Sequence, residues 1–219
     1  MNFPLILKFL KDIKKNNDRV WFEKNKPRYL EARQGFEDFV AALLKEFSRF
    51  DDGLGNLDPK KLPFRIYRDV RFSKDKSPYK TNMGAGFSPN GKLVQEPGYY
   101  VHIEPGRSFV AGGIYMPDAA NLAKIRQEID YNAERLIKIM KSKSFKKFYD
   151  GFDAFDKLKT MPKGYAKDHP QIDILKHKSF IVSKNFTDKE VLDKKFVSKL
   201  AAAAKEIKPL NDFIRDAIA

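Results

Sequence analysis

A chain of 219 residues, 42% hydrophobic and 13% aromatic, can build a large core and does not belong to the disordered class, though its length fits one domain or two. With no cysteine it has no disulfide, no thiolate nucleophile and no cysteine-held zinc or iron–sulfur site. Lysine plus arginine number 43 against 29 carboxylates, a formal charge of +14 that favours polyanions or anionic metabolites as partners and serves equally as a solubility device.

The apolar run at 5–10 is broken by Lys8, too short for a membrane span, and lacks the basic start and small-residue cleavage site of a signal peptide. The expectation is a cytoplasmic protein with no membrane partner. Ile6, Leu10 and Ile13 repeat at helical spacing. Asn17 or Asp18 can cap a short helix holding Trp21 and Phe22, and Pro27 opens a longer one with a stripe from Leu30 through Phe36, Val40, Leu43 and Phe47. Turn residues at 51–56, then Pro59 and Pro63, mark a loop.

Beyond it the period changes from helix to strand. Residues 64–72 alternate, predicting a strand, and Pro105-Gly106 between 99–104 and 108–115 predicts a hairpin in an antiparallel meander. Pro117-Asp118 opens a long helix with the stripe Leu122, Ile125, Ile129, Leu136 and Met140. Phe145, Phe148, Phe152 and Phe155 fit either its continuation or short turns, buried in both cases. A last strand spans 178–185. Thr187 and Glu190 form a capping box that opens a helix through Leu200, and Pro209 sets off a short terminal helix. This order predicts one α+β domain over 1–219, helical at 1–50, sheet-forming at 64–116 and mainly helical at 117–219. Its mainly antiparallel sheet, a meander plus one late strand, is covered by the N- and C-terminal helices.

The segment 65–80 concentrates charge: Arg65, Arg68, Arg71, Lys74, Lys76 and Lys80 face only Asp69 and Asp75. On a strand, Arg65, Tyr67, Asp69 and Arg71 share one side, while Ile66, Arg68, Val70 and Phe72 share an apolar side with one arginine out of place. Arginine replaces lysine where a planar fork grips carboxylate or phosphate. The candidate ligand-binding set is therefore Arg65, Arg68, Arg71, Lys76, Tyr79 and Lys80, taking a small anion, with Asp69 orienting the cations. Asp69 and Asp75 are the nearby candidate bases if the site is catalytic. The alternative is a salt-bridge network of Arg68, Asp69, Arg71 and Asp75 that fixes the loop, leaving a structural or protein-interaction role.

The pattern Arg65-x-x-Arg68-Asp69-x-Arg71-Phe72-x-x-Asp75-Lys76-x-x-Tyr79 resembles the signature of a family of bacterial and fungal proteins catalogued as domain of unknown function 2461. The likeness extends to Trp21-Phe22, to the segment from Tyr100 to Gly106, to Gly113-Ile114-Tyr115-Met116-Pro117 and to Pro162-Lys163-Gly164-Tyr165. It implies a single domain of this length with a marked segment and no stated chemistry.

His102 and Glu104 lie two apart on a predicted strand and so share a face, but two ligands make no metal site without His169 or His177, and a hydrogen-bonded strand histidine is favoured. No metal and no cofactor is expected. Gly84-x-Gly86 and Gly112-Gly113 match no phosphate-loop pattern and fit close backbone packing in a sheet. Nucleic acid is the alternative partner, since Tyr67, Phe72, Tyr79, Tyr99 and Tyr100 can stack on bases, although no known nucleic-acid motif accompanies them.

Overall fold

The computed structural model describes residues 1–92 and 95–219. Three helices open it: α1 (Phe3–Lys15), α2 (Arg19–Lys24) and α3 (Lys26–Phe47). Asp18 caps α2 by accepting from the Trp21 amide, and Pro27 sits in the first turn of α3, where a missing N–H costs nothing. Strands β1 (Met83–Phe87), β2 (Gly98–Ile103) and β3 (Ser108–Ile114) follow. Next come α4 (Ala119–Tyr131), α5 (Ala133–Lys141) and the single turns α6 (Lys143–Lys146) and α7 (Ile172–Leu175). The chain then forms β4 (Phe180–Phe186), the turn α8 (Asp188–Val191) and the long α9 (Phe196–Ile218).

The sheet runs β1-β2-β3-β4, antiparallel throughout, so the late strand joins the outer edge of the meander. This is the expected α+β architecture, with helices at both termini. The hairpin forms around Pro105-Gly106, with Val101 opposite Val110. Thr187 and Glu190 form the capping box, but it opens only the turn Asp188–Val191, and the helix that carries Leu200 starts separately at Phe196.

Alternation assigns the two sheet faces. Ala85, Val101, Val110 and Val182 are fully buried on one face, packed towards α3 and α9 in a core that runs continuously from Ile6 to Ile214. At the edge of this core Asp51 accepts from Tyr99 Oη and Arg215 Nη2, each at 2.9 Å, tying the loop after α3 to the sheet and the last helix. The opposite face of the sheet carries Gly84, Gly86, Tyr100, His102, Ala111 and Ser183, and among the described residues no helix packs closely on it.

Four expectations need correction. Residues 64–72 form no strand and bend at Ile66 and again at Arg71 and Phe72. They make one arm of a flap, joined to the returning arm through the Tyr67–Tyr79 bridge and the bonds Arg68 N to Pro78 O and Lys80 N to Ile66 O. The expected apolar side holds for buried Ile66 and half-buried Val70, then fails at Phe72, which is 96% exposed. The long helix breaks at Asn132, which closes α4. Phe155 is exposed and α9 runs through Pro209 unbroken. The proline costs about 3 kcal/mol in a helix interior, which the buried Ile207, Leu210, Phe213 and Ile214 on either side of it offset. Among the described residues no helix is long and apolar enough to cross a membrane.

Candidate functional site

The uncovered sheet face is the floor of a cavity of about 740 Å³, within the range of small-molecule sites. Its concavity comes from small residues: Gly86, Ala111 and Gly113 line the floor, where larger side chains would fill it. Phe64 walls the β1 side, because residues 62–64 run beside β1, with the Phe64 amide donating to the Gly84 carbonyl at 2.8 Å. Ile181, Ser183, Asp153 and Phe155 wall the β4 side, and the Phe155 ring stacks on Tyr115 at 5.9 Å on an exposed lip.

Cations gather at the Phe64 wall. The Lys80 and Lys92 ammonium groups lie 5.5 and 5.4 Å from the centre of the same ring, and Lys92 also donates to the Pro63 carbonyl. Burial, then the charges of Arg65 and Lys92, pushes the Lys80 pKa down, and burial followed by Arg33 does the same for Lys92. Among the described residues Arg65, Lys80 and Lys92 have no carboxylate in ion-pair range. The ring edge of Phe64 meets Tyr100 at 6.0 Å, which brings this charge beside the floor.

On the floor, the two-residue period of β2 aligns Tyr100 and His102, and Glu104 continues it one residue past the end of the strand. Tyr100 Oη lies 3.1 Å from His102 Nδ1, and His102 Nε2 lies 3.2 Å from Glu104 Oε2. The second Glu104 oxygen accepts from Thr81 Oγ1 at 2.9 Å and Arg107 Nη2 at 2.8 Å. The His102 ring stacks on Phe109 at 4.7 Å. Burial, then Glu104, pushes the Tyr100 phenol up to about 12, and burial lowers the His102 pKa against the pull of Glu104. For Glu104 burial acts to raise the pKa, but the bonds from Arg107, His102 and Thr81 together hold it low. Across the floor, burial raises the pKa of Asp153, partly offset by the Ser183 hydroxyl.

The segment 65–80 is arranged differently from a convergent anion pocket. Arg68 donates to Asp75 at 2.5 Å and to the Ser77 carbonyl at 3.1 Å, bracing the two arms of the flap. Arg71 forms a two-point pair with Asp69 at 3.0 and 2.7 Å on the exposed surface. Lys76 donates to the Val70 carbonyl at 3.0 Å. The buried Tyr79 ring stacks on Phe22 at 4.0 Å, and its backbone is held at both polar atoms by Asn17. Arg68, Tyr79 and Lys80 border a smaller cleft of about 350 Å³, which Arg65, Arg71 and Lys76 do not line. Asp69 is held down to about 2 by Arg71, and Asp75 to about 2 by Ser77 and then Arg68. Carboxylates so acidic are poor proton acceptors at neutral pH.

His102, His169 and His177 keep separate company: His169 pairs with Asp130 at 2.9 Å, and the His177 ring lies against Phe152. Among the described residues no cluster of three potential metal ligands occurs. Sequence reasoning paired His102 with Glu104 but missed Tyr100 as their third member, although the same period of two identifies it. Phe64, Lys92 and Asp153 gave no local signal, because only the fold brings them to the groove.

The class these features define is an α+β protein with a half-covered antiparallel meander, helices on one face and a groove on the other. The chain belongs to the conserved hypothetical protein family DUF2461, whose model matches residues 5–213. No curated protein and no solved structure matches it.

Proposed function

We propose that the protein binds a small molecule with an anionic group and an apolar or aromatic body in the groove over the open sheet face. The observation that carries this reading is the juxtaposition of an uncovered, small-residue floor with the Lys80 and Lys92 ammonium groups, both held against the Phe64 ring. An apolar cavity with a few convergent polar groups is the ordinary form of a ligand site. Excess cations beside it supply the charge that recognises phosphate or carboxylate. Of the cations singled out in the sequence, Lys80 lies against the Phe64 wall and Arg65 acts on it through its charge, while Arg68 and Arg71 are occupied by carboxylates. A ligand-observed NMR screen of matched anionic and neutral aromatic fragments tests the reading. Anionic aromatics should dominate the hits and should be lost in Ala111→Phe, which fills the floor, and in the Lys80→Met, Lys92→Met double variant. Hits with no anionic preference, or hits that survive both variants, count against it.

A second reading rests on Phe72, which stands almost fully exposed at the flap tip with Arg71 5.8 Å from its ring and Lys74 and Lys76 nearby in sequence. A bare aromatic among cations can stack on an unpaired base. Oligonucleotide binding that weakens steeply with salt and is lost in Phe72→Ala would favour nucleic acid.

A further inference from the structure

Tyr100 borders the groove and His102 does not, yet the two are hydrogen-bonded in line with a buried carboxylate. A carboxylate only accepts, so the imidazole proton sits on Nε2, facing Glu104, and Nδ1 is left as the acceptor. The Tyr100 hydroxyl therefore gives its hydrogen to Nδ1. Its oxygen lone pairs remain for a partner in the groove. Glu104 is itself fixed by Thr81 and Arg107, and Phe109 backs the imidazole face, so the ring has one orientation. The fold keeps room for this arrangement at Gly84, whose missing side chain leaves the space under the Tyr100 hydroxyl.

We propose that Tyr100, His102 and Glu104 form a proton relay that makes the Tyr100 oxygen the general base of the groove. The inference rests on the ligand-groove reading for its substrate class, an anionic small molecule that carries a hydroxyl or other acidic hydrogen. In the forward step the ligand hydrogen bonds to Tyr100 Oη and its proton passes to that oxygen. At the same time the phenolic proton moves to His102 Nδ1. Tyr100 stays a neutral phenol, His102 becomes an imidazolium paired with Glu104, and the ligand oxygen is left with the electron pair of the broken O–H bond. The reverse step returns the proton, so the relay also serves as an acid.

This division of labour avoids the obstacle that a phenol pushed up to about 12 does not ionise at neutral pH. The imidazole, whose basicity burial reduces, stores the proton only while Glu104 balances its charge. The titratable groups facing the His102 ring are Tyr100 on its own strand, Glu104 just past the end of that strand and Arg107 from the following turn. His102 and Glu104 are positioning residues, and Tyr100 is the group that meets the ligand.

Sulfonyl fluorides test the half of the relay that needs no natural ligand. When such a reagent labels Tyr100, the O–S bond forms, the S–F bond breaks, fluoride leaves, and the phenolic proton goes to Nδ1. Full-length protein is treated with neutral benzenesulfonyl fluoride and with anionic 4-(fluorosulfonyl)benzoate, and labelling is read by mass spectrometry across all nine tyrosines. Tyr100 should be labelled faster than exposed Tyr67 and Tyr115. Its rate should rise through one ionisation below 6.5, that of His102, and then stay level. His102→Gln should slow it about a hundredfold, and Glu104→Gln should slow it while moving the ionisation lower. Urea unfolding confirms that each variant is folded, and Glu104→Gln, close to isosteric, serves where His102→Gln is not. A Tyr100 rate no greater than that of Tyr67, or one that keeps climbing towards the ionisation of a free phenol at about 10, overturns the relay. Equal rates with the neutral and anionic reagents would remove the cationic rim and leave the relay standing.

Discussion

Gly84 leaves the space into which the Tyr100 side chain fits: a β-carbon at position 84 would lie 2.9 Å from Tyr100 Cζ and closer still to the hydroxyl. The two residues sit on neighbouring strands, with Gly84 opposite His102 and Gly86 opposite Tyr100. Gly84→Ala should therefore push the ring outward and separate Tyr100 Oη from His102. The expected stability cost is about 1–3 kcal/mol, typical of overpacking a fixed site. Urea unfolding measures that cost, and Tyr100 labelling by a sulfonyl fluoride should fall with it. Unchanged labelling would show that the hydroxyl does not depend on this space.

Gly113 sets a sharper limit. Its φ of +116° lies in a region that side chains rarely adopt, and a β-carbon there would overlap the Phe180 carbonyl oxygen on the neighbouring strand. The clash is with backbone, so it cannot be relieved by a rotamer change. Gly113→Ala should cost more than about 4 kcal/mol by breaking the β3–β4 pairing near the end where Gly113 faces Ile181. Soluble protein with a parental urea midpoint would contradict this.

Local chemistry carried most of the fold. The β2–β3 hairpin could be read from Pro105-Gly106 between alternating runs, and the helical start after Thr187 from its capping box though not its end at Val191, because each signal lies within a few residues of what it controls. Strand β1 gave no such signal: Met83-Gly84-Ala85-Gly86-Phe87 is small and glycine-rich, and only its position between segment 62–64 and β2 makes it a strand. Pro209 misled for a related reason, since burial on both sides of it outweighs its local cost. The candidate site was less legible. Residues 65–80 announce their charge, but not that Asp75 holds Arg68 or that Asp69 holds Arg71. The groove is made largely of missing side chains on strands far apart in sequence, and no local pattern describes an absence.

Stability should depend on pH in two opposite ways around the groove. Burial lowers the folded pKa of His102, so the unfolded chain binds the extra proton. That contribution is fully present above 6.5 and is lost as pH falls through the lower folded value. Burial raises the folded pKa of Asp153, so its contribution is present below 3.8 and is lost as pH rises through the folded value. Asp153→Asn should then stabilise the protein at neutral pH by up to about 1 kcal/mol, discounted for partial solvent screening, and leave stability unchanged in strong acid. Parallel urea titrations of parent and variant measure the difference, and an Asn variant less stable at neutral pH would reverse the assignment.

The cations divide into those that already have partners and those that do not, and the difference predicts opposite responses to removal. Arg68 is three-quarters covered and reaches Asp75, the Ser77 carbonyl and Ser73 Oγ, so Arg68→Ala should free the two arms of the flap. Limited proteolysis within 69–77 should accelerate markedly, even if global unfolding changes little. Arg71 is 76% exposed and among the described residues its one ion pair is with nearby Asp69, so Arg71→Ala should shift stability by no more than about 0.5 kcal/mol. Among the described residues Lys80 has no carboxylate partner and is repelled by Arg65 and Lys92, so Lys80→Met should hold or raise the melting temperature of the ligand-free protein. An anion that binds the native state raises that temperature in proportion to its occupancy. Inorganic phosphate or phenyl phosphate should therefore stabilise the parent and Arg71→Ala equally, and Lys80→Met much less. If Arg71→Ala loses the anion effect while Lys80→Met keeps it, the anion binds at the flap and the groove is not where the charge is used.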